Sequence, residues 1–108
     1  MKRGEIWTLA ANAPYANKPR LAVIIQSDNF DSTESVTVCG FTRIAPQALY
    51  LRISVTPNPQ NNLAELSFIM VDKTTTVPRS RLGKRIGMLN SQELVLLDRA
   101  LLVFLGLA

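Results

Sequence analysis

Arg20, Thr42 with Arg43 behind it, and the adjacent pair Asp72 and Lys73 are the positions whose residue types could act on a phosphate. An arginine fork offers paired N–H donors to two phosphate oxygens and keeps its charge at any physiological pH. A threonine hydroxyl beside a cation can hydrogen-bond a phosphate or a 2′-hydroxyl. Each position also has a plainer reading. For Arg20 taken alone, a strand-edge arginine carries more weight than a phosphate ligand. Thr42 fits an ordinary β-strand preference equally well. Asp72 and Lys73, adjacent at the close of a strand, point to opposite faces and need not pair. Asp28 and Asp31 read as turn formers, and no carboxylates stand at metal-binding spacing, so no metal and no other cofactor is expected.

The missing residue types exclude more than the present ones suggest. The 108 residues contain no histidine and one cysteine, Cys39. Ser–His and Cys–His nucleophile pairs are therefore impossible, as are zinc sites built on His or paired Cys, His-based acid–base catalysis and a disulfide within the chain. Twelve Lys+Arg against eight Asp+Glu leave a net charge of +4, which favours polyanionic partners. Five of the cations (Lys73, Arg79, Arg81, Lys84, Arg85) lie in one stretch without an acid. That stretch is either a solvated structural face or a polyanion contact.

The elements that must position these residues are short. Apolar residues make up 47% of the sequence, enough to fill a core, and the length fits one domain over residues 1–108. No apolar run approaches the ~20 residues of a membrane helix, so no membrane partner and a cytoplasmic location are expected. Strands are predicted at Gly4–Leu9, Arg20–Ser27 (apolar throughout, as in a strand buried on both faces), Ser35–Thr42, Tyr50–Val55 and Leu66–Asp72. A last short strand is predicted around Arg85–Leu89. In Ser35–Thr42, Val36, Val38, Gly40 and Thr42 share one face, and Thr37, Cys39 and Phe41 the other. Residues 10–19 read as a loop because of Asn12, Pro14, Asn17 and Pro19. Asn90 followed by Glu93 forms a capping box for a terminal helix, which Gly106 stops. Its circumference is so apolar that it is either sunk in the core or shared with a second subunit. The expected fold is mainly β: a small, strongly twisted SH3-like β-barrel of five to seven short strands with a C-terminal α-helix. Trp7, the lone tryptophan, is read as packing beneath the barrel rather than as a base-stacking platform.

Five segments, in order, resemble the MazF/PemK family of toxins from bacterial toxin–antitoxin systems. They are Lys2–Trp7 (KRGEIW), Pro19–Asp28 (PRLAVIIQSD), Val36–Thr42 (VTVCGFT), Val71–Val77 (VDKTTTV) and Arg81–Leu89 (RLGKRIGML). The resemblance implies a homodimeric SH3-like barrel and an endoribonuclease that cuts single-stranded RNA at short sequences, stopping translation and growth. It also implies a cognate antitoxin that lays an acidic, disordered segment over the basic surface, with DNA reached only through that antitoxin. On this resemblance Arg20 and Thr42 match the family's catalytic arginine and threonine. Lys18, Arg43, Asp72 and Lys73 become candidate RNA-binding residues. RNA supplies its own nucleophile, the 2′-hydroxyl. The protein need only align the attack, neutralise the pentavalent phosphorane and assist proton transfer, leaving a 2′,3′-cyclic phosphate.

The sequence departs from the family pattern in three places. Leu21 follows the arginine where proline is usual, the 10–19 loop lacks its common glycine, and Met70 stands where some members carry an arginine two residues before the aspartate. Two other readings stay open. One is a toxin of the CcdB kind, which shares the barrel-plus-helix architecture and binds DNA gyrase without cutting nucleic acid. The other is a catalytically degenerate member of the MazF/PemK family.

Overall fold

A computed structural model describes residues 1–10, 20–47 and 51–108. Six strands form one antiparallel sheet: β1 (Glu5–Leu9), β2 (Arg20–Ile24), β3 (Ser35–Thr42), β4 (Arg52–Val55), β5 (Ser67–Pro78) and β6 (Leu82–Met88). Helix α1 (Ser91–Phe104) follows them. The order across the sheet is β4-β5-β3-β2-β1-β6. A mainly β fold with a terminal helix is thus what the sequence led us to expect. Among the described residues no helix is long and apolar enough to cross a membrane.

The two edge strands approach each other because the sheet curls. The turn after β4 reaches β6 at the far edge: Met88 donates its N–H to the Gln60 carbonyl (3.2 Å), and Asn62 Nδ2 donates to the Ile86 carbonyl (2.6 Å). Asn61, fully buried, holds that turn together. Its side-chain oxygen accepts from the N–H groups of Asn58 and Leu63, and its amide donates to the Thr56 carbonyl. Gly87 meets the Asn61 backbone there, and the space has no room for a Cβ. The barrel is closed by a turn rather than by strand pairing.

Alternation along β2 and β3 feeds two cores, as a strand buried on both faces must. Val23 and Cys39 join Ile6, Ile53, Ile69, Val71 and Leu97 inside the curl. Ala22, Ile24, Val36 and Val38 join Leu9, Val77 and Leu82 on the other face, with Trp7 packed against them. Burying each such aliphatic side chain contributes about 1.5–3 kcal/mol. The indole Nε1 of Trp7 donates to Glu5 (3.2 Å), in keeping with its expected packing role.

Helix α1 starts at the predicted box: Asn90 Oδ1 accepts from the Glu93 N–H (2.8 Å), and the Glu93 carboxylate accepts from the Asn90 N–H (2.9 Å). It ends at Gly106, whose φ of 76° lets the N–H groups of Gly106 and Leu107 turn back to the carbonyls of Val103 and Leu102. Arg3 ties the helix to the sheet, pairing with Asp98 (2.6 Å) and donating to the Ile25 carbonyl (2.8 Å). Only Leu97 of the helix is fully buried, while Val95, Leu96, Leu102, Val103 and Phe104 are exposed. The helix is therefore seated on the core by one stripe and not sunk in it.

Three predicted boundaries need correction. The second strand ends at Ile24, since Ile25 to Ser27 turn into a short 3-10 segment at Asp28–Phe30. β5 does not stop at Asp72 but runs to Pro78, because Thr74 to Val77 pair with Val36 to Cys39. The last strand begins at Leu82, three residues earlier than predicted, where it pairs with Leu9.

Candidate active site

The register of β2 on β3 pairs Ala22 with Gly40. That pair ends the ladder, and Arg20 and Thr42 lie two residues beyond it on their strands, in step with the face that carries Ala22, Ile24, Val36 and Val38. Toward one end this face is a core. Toward the other, Arg20, Gly40 and Thr42 leave it open. Arg20 and Thr42 line one cleft of about 460 Å³ with Leu21, Phe41, Arg43, Ile44 and Ser67. The Thr42 hydroxyl accepts the Ile44 N–H (3.2 Å), so its own proton is free to be donated outward to an anion.

Thr42 also lines a second cleft, of about 430 Å³, with Arg52, Met70, Asp72 and Lys73 among its walls. The sheet is distorted here. Cys39 pairs with Thr74 and Phe41 with Ile69, so a two-residue step on β3 spans a five-residue step on β5. The surplus forms a bulge at residues 70–73 opposite Gly40, and bulges of this kind redirect side chains beside functional sites. The absence of a Cβ at Gly40 admits the Met70 methyl, which an added Cβ would approach to 3.2 Å.

The bulge alters the expectation for Asp72 and Lys73. They do not close a strand but sit in the middle of one. Asp72 forms an ion pair, though not with its neighbour: its partner is Arg52 of β4. Lys73 is exposed, with no ion-pair partner among the described residues. Arg43 is paired across the cleft mouth to Glu65 (3.1 Å), an exposed contact of small energetic weight. Five of the six candidate residues thus lie around two clefts that meet at Thr42. The sixth, Lys18, lies outside the described residues, as do Pro19, Tyr50 and most of the 10–19 loop.

The basic stretch resolves mainly as structure. Arg79 donates to the carbonyls of Asp31 and Thr33, Arg81 to that of Ala10, and Arg85 pairs with Glu5 (2.8 Å). Lys73 is its one member in the clefts. Burial pushes the Glu5 carboxyl up, but hydrogen bonds from the Lys2 N–H, Trp7 and Arg85 outweigh it and hold Glu5 below the usual carboxylate range. Burial raises the Cys39 thiol, which is inert beneath Thr74. Among the described residues no three His, Cys, Asp or Glu side chains gather into a metal site.

The residue that the sequence reading passed over is Arg52. Its signal was a single cation inside the apolar run YLRISV, on the opposite face from the buried Ile53.

A small curled β-sheet with one terminal helix thus carries an arginine and a threonine on neighbouring strands at one open cleft. The family is given by comparison. A model of the family described as "PemK-like, MazF-like toxin of type II toxin-antitoxin system" matches residues 2–105, and the chain belongs to that family. It is 52% identical to a curated protein of Mycolicibacterium smegmatis (strain ATCC 700084 / mc(2)155) named "Probable endoribonuclease MazF", over 100% of this chain and 99% of the other. Solved structures share the fold, among them the following two. "Mycobacterium tuberculosis toxin MazF-mt6" superposes with a TM-score of 0.79 at 23% identity, covering 94% of this chain and 96% of that one. "Endoribonuclease in complex with its cognate antitoxin from Mycobacterial species" gives 0.81 at 16% identity, covering 100% and 97%.

Proposed function

We propose that this chain is the toxin of a type II toxin–antitoxin pair and an endoribonuclease that cuts single-stranded RNA at a short recognition sequence. Its 52% identity to a curated endoribonuclease of the family supports the activity. The observation that carries the mechanism is that Arg20 and Thr42 line one cleft at the open end of the sheet face. The scissile phosphate sits between them. Arg20 neutralises the charge that grows on the phosphorane and hydrogen-bonds the departing 5′-oxygen, while the Thr42 proton is donated to a non-bridging oxygen and aligns the 2′-hydroxyl for in-line attack. The O2′–P bond forms as the P–O5′ bond breaks, the 2′-hydroxyl giving up its proton to water and the departing 5′-oxygen taking one from water. The products are a 2′,3′-cyclic phosphate and a 5′-hydroxyl, and no step calls for a metal. Lys18, Arg43, Asp72 and Lys73 line the path of the flanking nucleotides, and the 10–19 loop sets the sequence.

A second copy of the chain covers the exposed apolar stripe of α1, giving a homodimer. A cognate antitoxin with an acidic, disordered segment competes for the same cations, and contact with DNA is made through that antitoxin. The antitoxin complex among the structural neighbours supports this partner for a protein of the same fold. The toxin acts in the cytoplasm, where its RNA is.

The test is cleavage of a long single-stranded RNA in EDTA. Fragments ending in 2′,3′-cyclic phosphate are expected, with rates about 10²–10³-fold lower for Arg20→Ala and Thr42→Ala, the loss typical of one removed transition-state donor. Full activity in Arg20→Ala would show that the principal residue is wrong. Growth arrest by the folded wild type with its RNA intact would displace the nuclease reading altogether.

A further inference from the structure

Arg52 is placed as no ordinary edge-strand arginine is. A long cation on the outer face of an edge strand normally extends into water. This one lies back across the sheet, its side chain 19% exposed, against Asp72 of the β5 bulge. Its Cα partner is Met70, and directly paired residues present their side chains on one face. The face that holds Arg20 and Thr42 therefore also holds Met70 and Arg52. A guanidinium has five N–H donors and a carboxylate engages at most two in a fork. Beyond Asp72, the Arg52 fork meets among the described residues only the Leu51 carbonyl, at 3.5 Å. Among the described residues donors remain, and Arg52 lines the 430 Å³ cleft with Thr42, Met70 and Lys73 among its other walls, as well as a cleft against α1. From β2 to β4 there are three strand spacings, about 14 Å. An extended single strand crossing β2, β3, β5 and β4 meets Arg20, Thr42 and Arg52 in that order.

We propose that Arg52 is a substrate-binding residue that grips a backbone phosphate next along the RNA from the one held by Arg20 and Thr42. Asp72 is its positioning residue, fixing the fork so that its free edge faces the cleft. The bulge exists in this arrangement to bring a carboxylate within reach of β4. Met70 leaves the site open and contributes no charge, so the guanidinium of this cleft comes from the neighbouring strand. This inference rests on the endoribonuclease reading above and deepens it.

The experiment measures binding of a single-stranded RNA bearing the mapped cut site, protected by a 2′-O-methyl group at the scissile position, across a salt series. One lost phosphate contact lowers the slope of log K against log salt by about 0.7 for a single strand. Arg52→Met is expected to show that drop and to bind about ten-fold more weakly, as one charged hydrogen bond is worth. Arg52→Lys retains the slope. The exchange Arg52→Met with Met70→Arg restores it, because the guanidinium returns from the directly opposed position. Lys2→Gln, at the other end of the sheet, leaves the slope of the wild type unchanged. If Arg52→Met does not fold, Arg52→Gln replaces it, keeping a donor for Asp72 without the charge. A wild-type slope in the folded, charge-free variant overturns the assignment and leaves Arg52–Asp72 as a structural pair only. If the wild type itself neither binds nor cuts RNA, the endoribonuclease reading falls and takes this inference with it.

Discussion

Gly87→Ala should open the barrel at its seam. A Cβ at Gly87 would stand 2.4 Å from the Asn61 carbonyl oxygen, 2.5 Å from its carbon and 2.6 Å from the Gln60 oxygen. All three are backbone atoms, so no rotamer change relieves the overlap. To regain an ordinary contact near 3.5 Å, the turn must retreat by about 1 Å. That retreat stretches the two hydrogen bonds by which the turn holds β6, from Met88 to Gln60 and from Asn62 to Ile86. Overpacking of this kind costs about 1–3 kcal/mol and each lost hydrogen bond about 1. The reduced freedom of the unfolded alanine chain returns about 0.5 kcal/mol, so the net loss is about 2.5–4.5 kcal/mol. For a domain of this size the melting temperature should fall by about 10–20 °C. Gly83→Ala is the matched control. Its Cβ meets Thr8 Oγ1 at 2.5 Å, a side-chain atom that can rotate away at the expense of one hydrogen bond from the Lys84 N–H. Thermal unfolding by circular dichroism reads both variants. A Gly87→Ala protein melting within about 3 °C of wild type would refute the claim that the Asn61 backbone closes the barrel at this point.

Three further outcomes are expected. Because Glu5 is held below its ordinary pKa of 4.5, its contribution to stability is present above that value and is lost as pH falls through the folded one; Glu5→Gln should be less stable at neutral pH and show a shallower acid limb in urea titrations, and parallel limbs would contradict the assigned hydrogen bonds. Leu97→Ala removes the one fully buried side chain of α1 and should destabilise by about 3 kcal/mol, measured by denaturant unfolding. Gly40→Ala should barely move the melting temperature, since the Met70 methyl can give way by a few tenths of an ångström, yet it should slow RNA cleavage by pushing that methyl into the cleft beside Thr42.

What could be read ahead of the structure was what local pattern encodes. The β2 run announced burial on both faces, and the Asn90–Glu93 box and Gly106 marked the helix ends. That Arg20 and Thr42 share a cleft was legible only through the family resemblance, since the residues themselves fitted plain strand roles. Three features stayed hidden because they depend on distant partners. β5 extends past Asp72 through pairing with residues 35 to 43 positions away in β3. The bulge follows from a register mismatch between β3 and β5, which neither strand's sequence reveals alone. Arg52 and Asp72 meet across that mismatch, whereas the sequence reading weighed Asp72 only against its neighbour Lys73. The basic stretch misled for a related reason: three of its arginines are committed to carbonyls or to Glu5, all far off in sequence.

The sheet order also dictates when this protein can exist. β1 lies between β2 and β6, and Trp7 finds its partner at Arg85. The first strand to be synthesised therefore waits for the last before both its edges are covered. Until residues 82–88 have been made, neither β1 nor the seam at Gly87 has its counterpart, and α1 has yet to cover the Ile53–Ile69 side of the core. Non-local pairing of this kind makes folding slow compared with a helical chain of equal length. A nascent or truncated chain that stops short of Leu82 carries Arg20, Thr42 and Arg52 but lacks the closed sheet that aligns them. On the proposed function, cleavage therefore waits for residues 82–88, and a cell making such a chain meets a working cleft only after they have been translated.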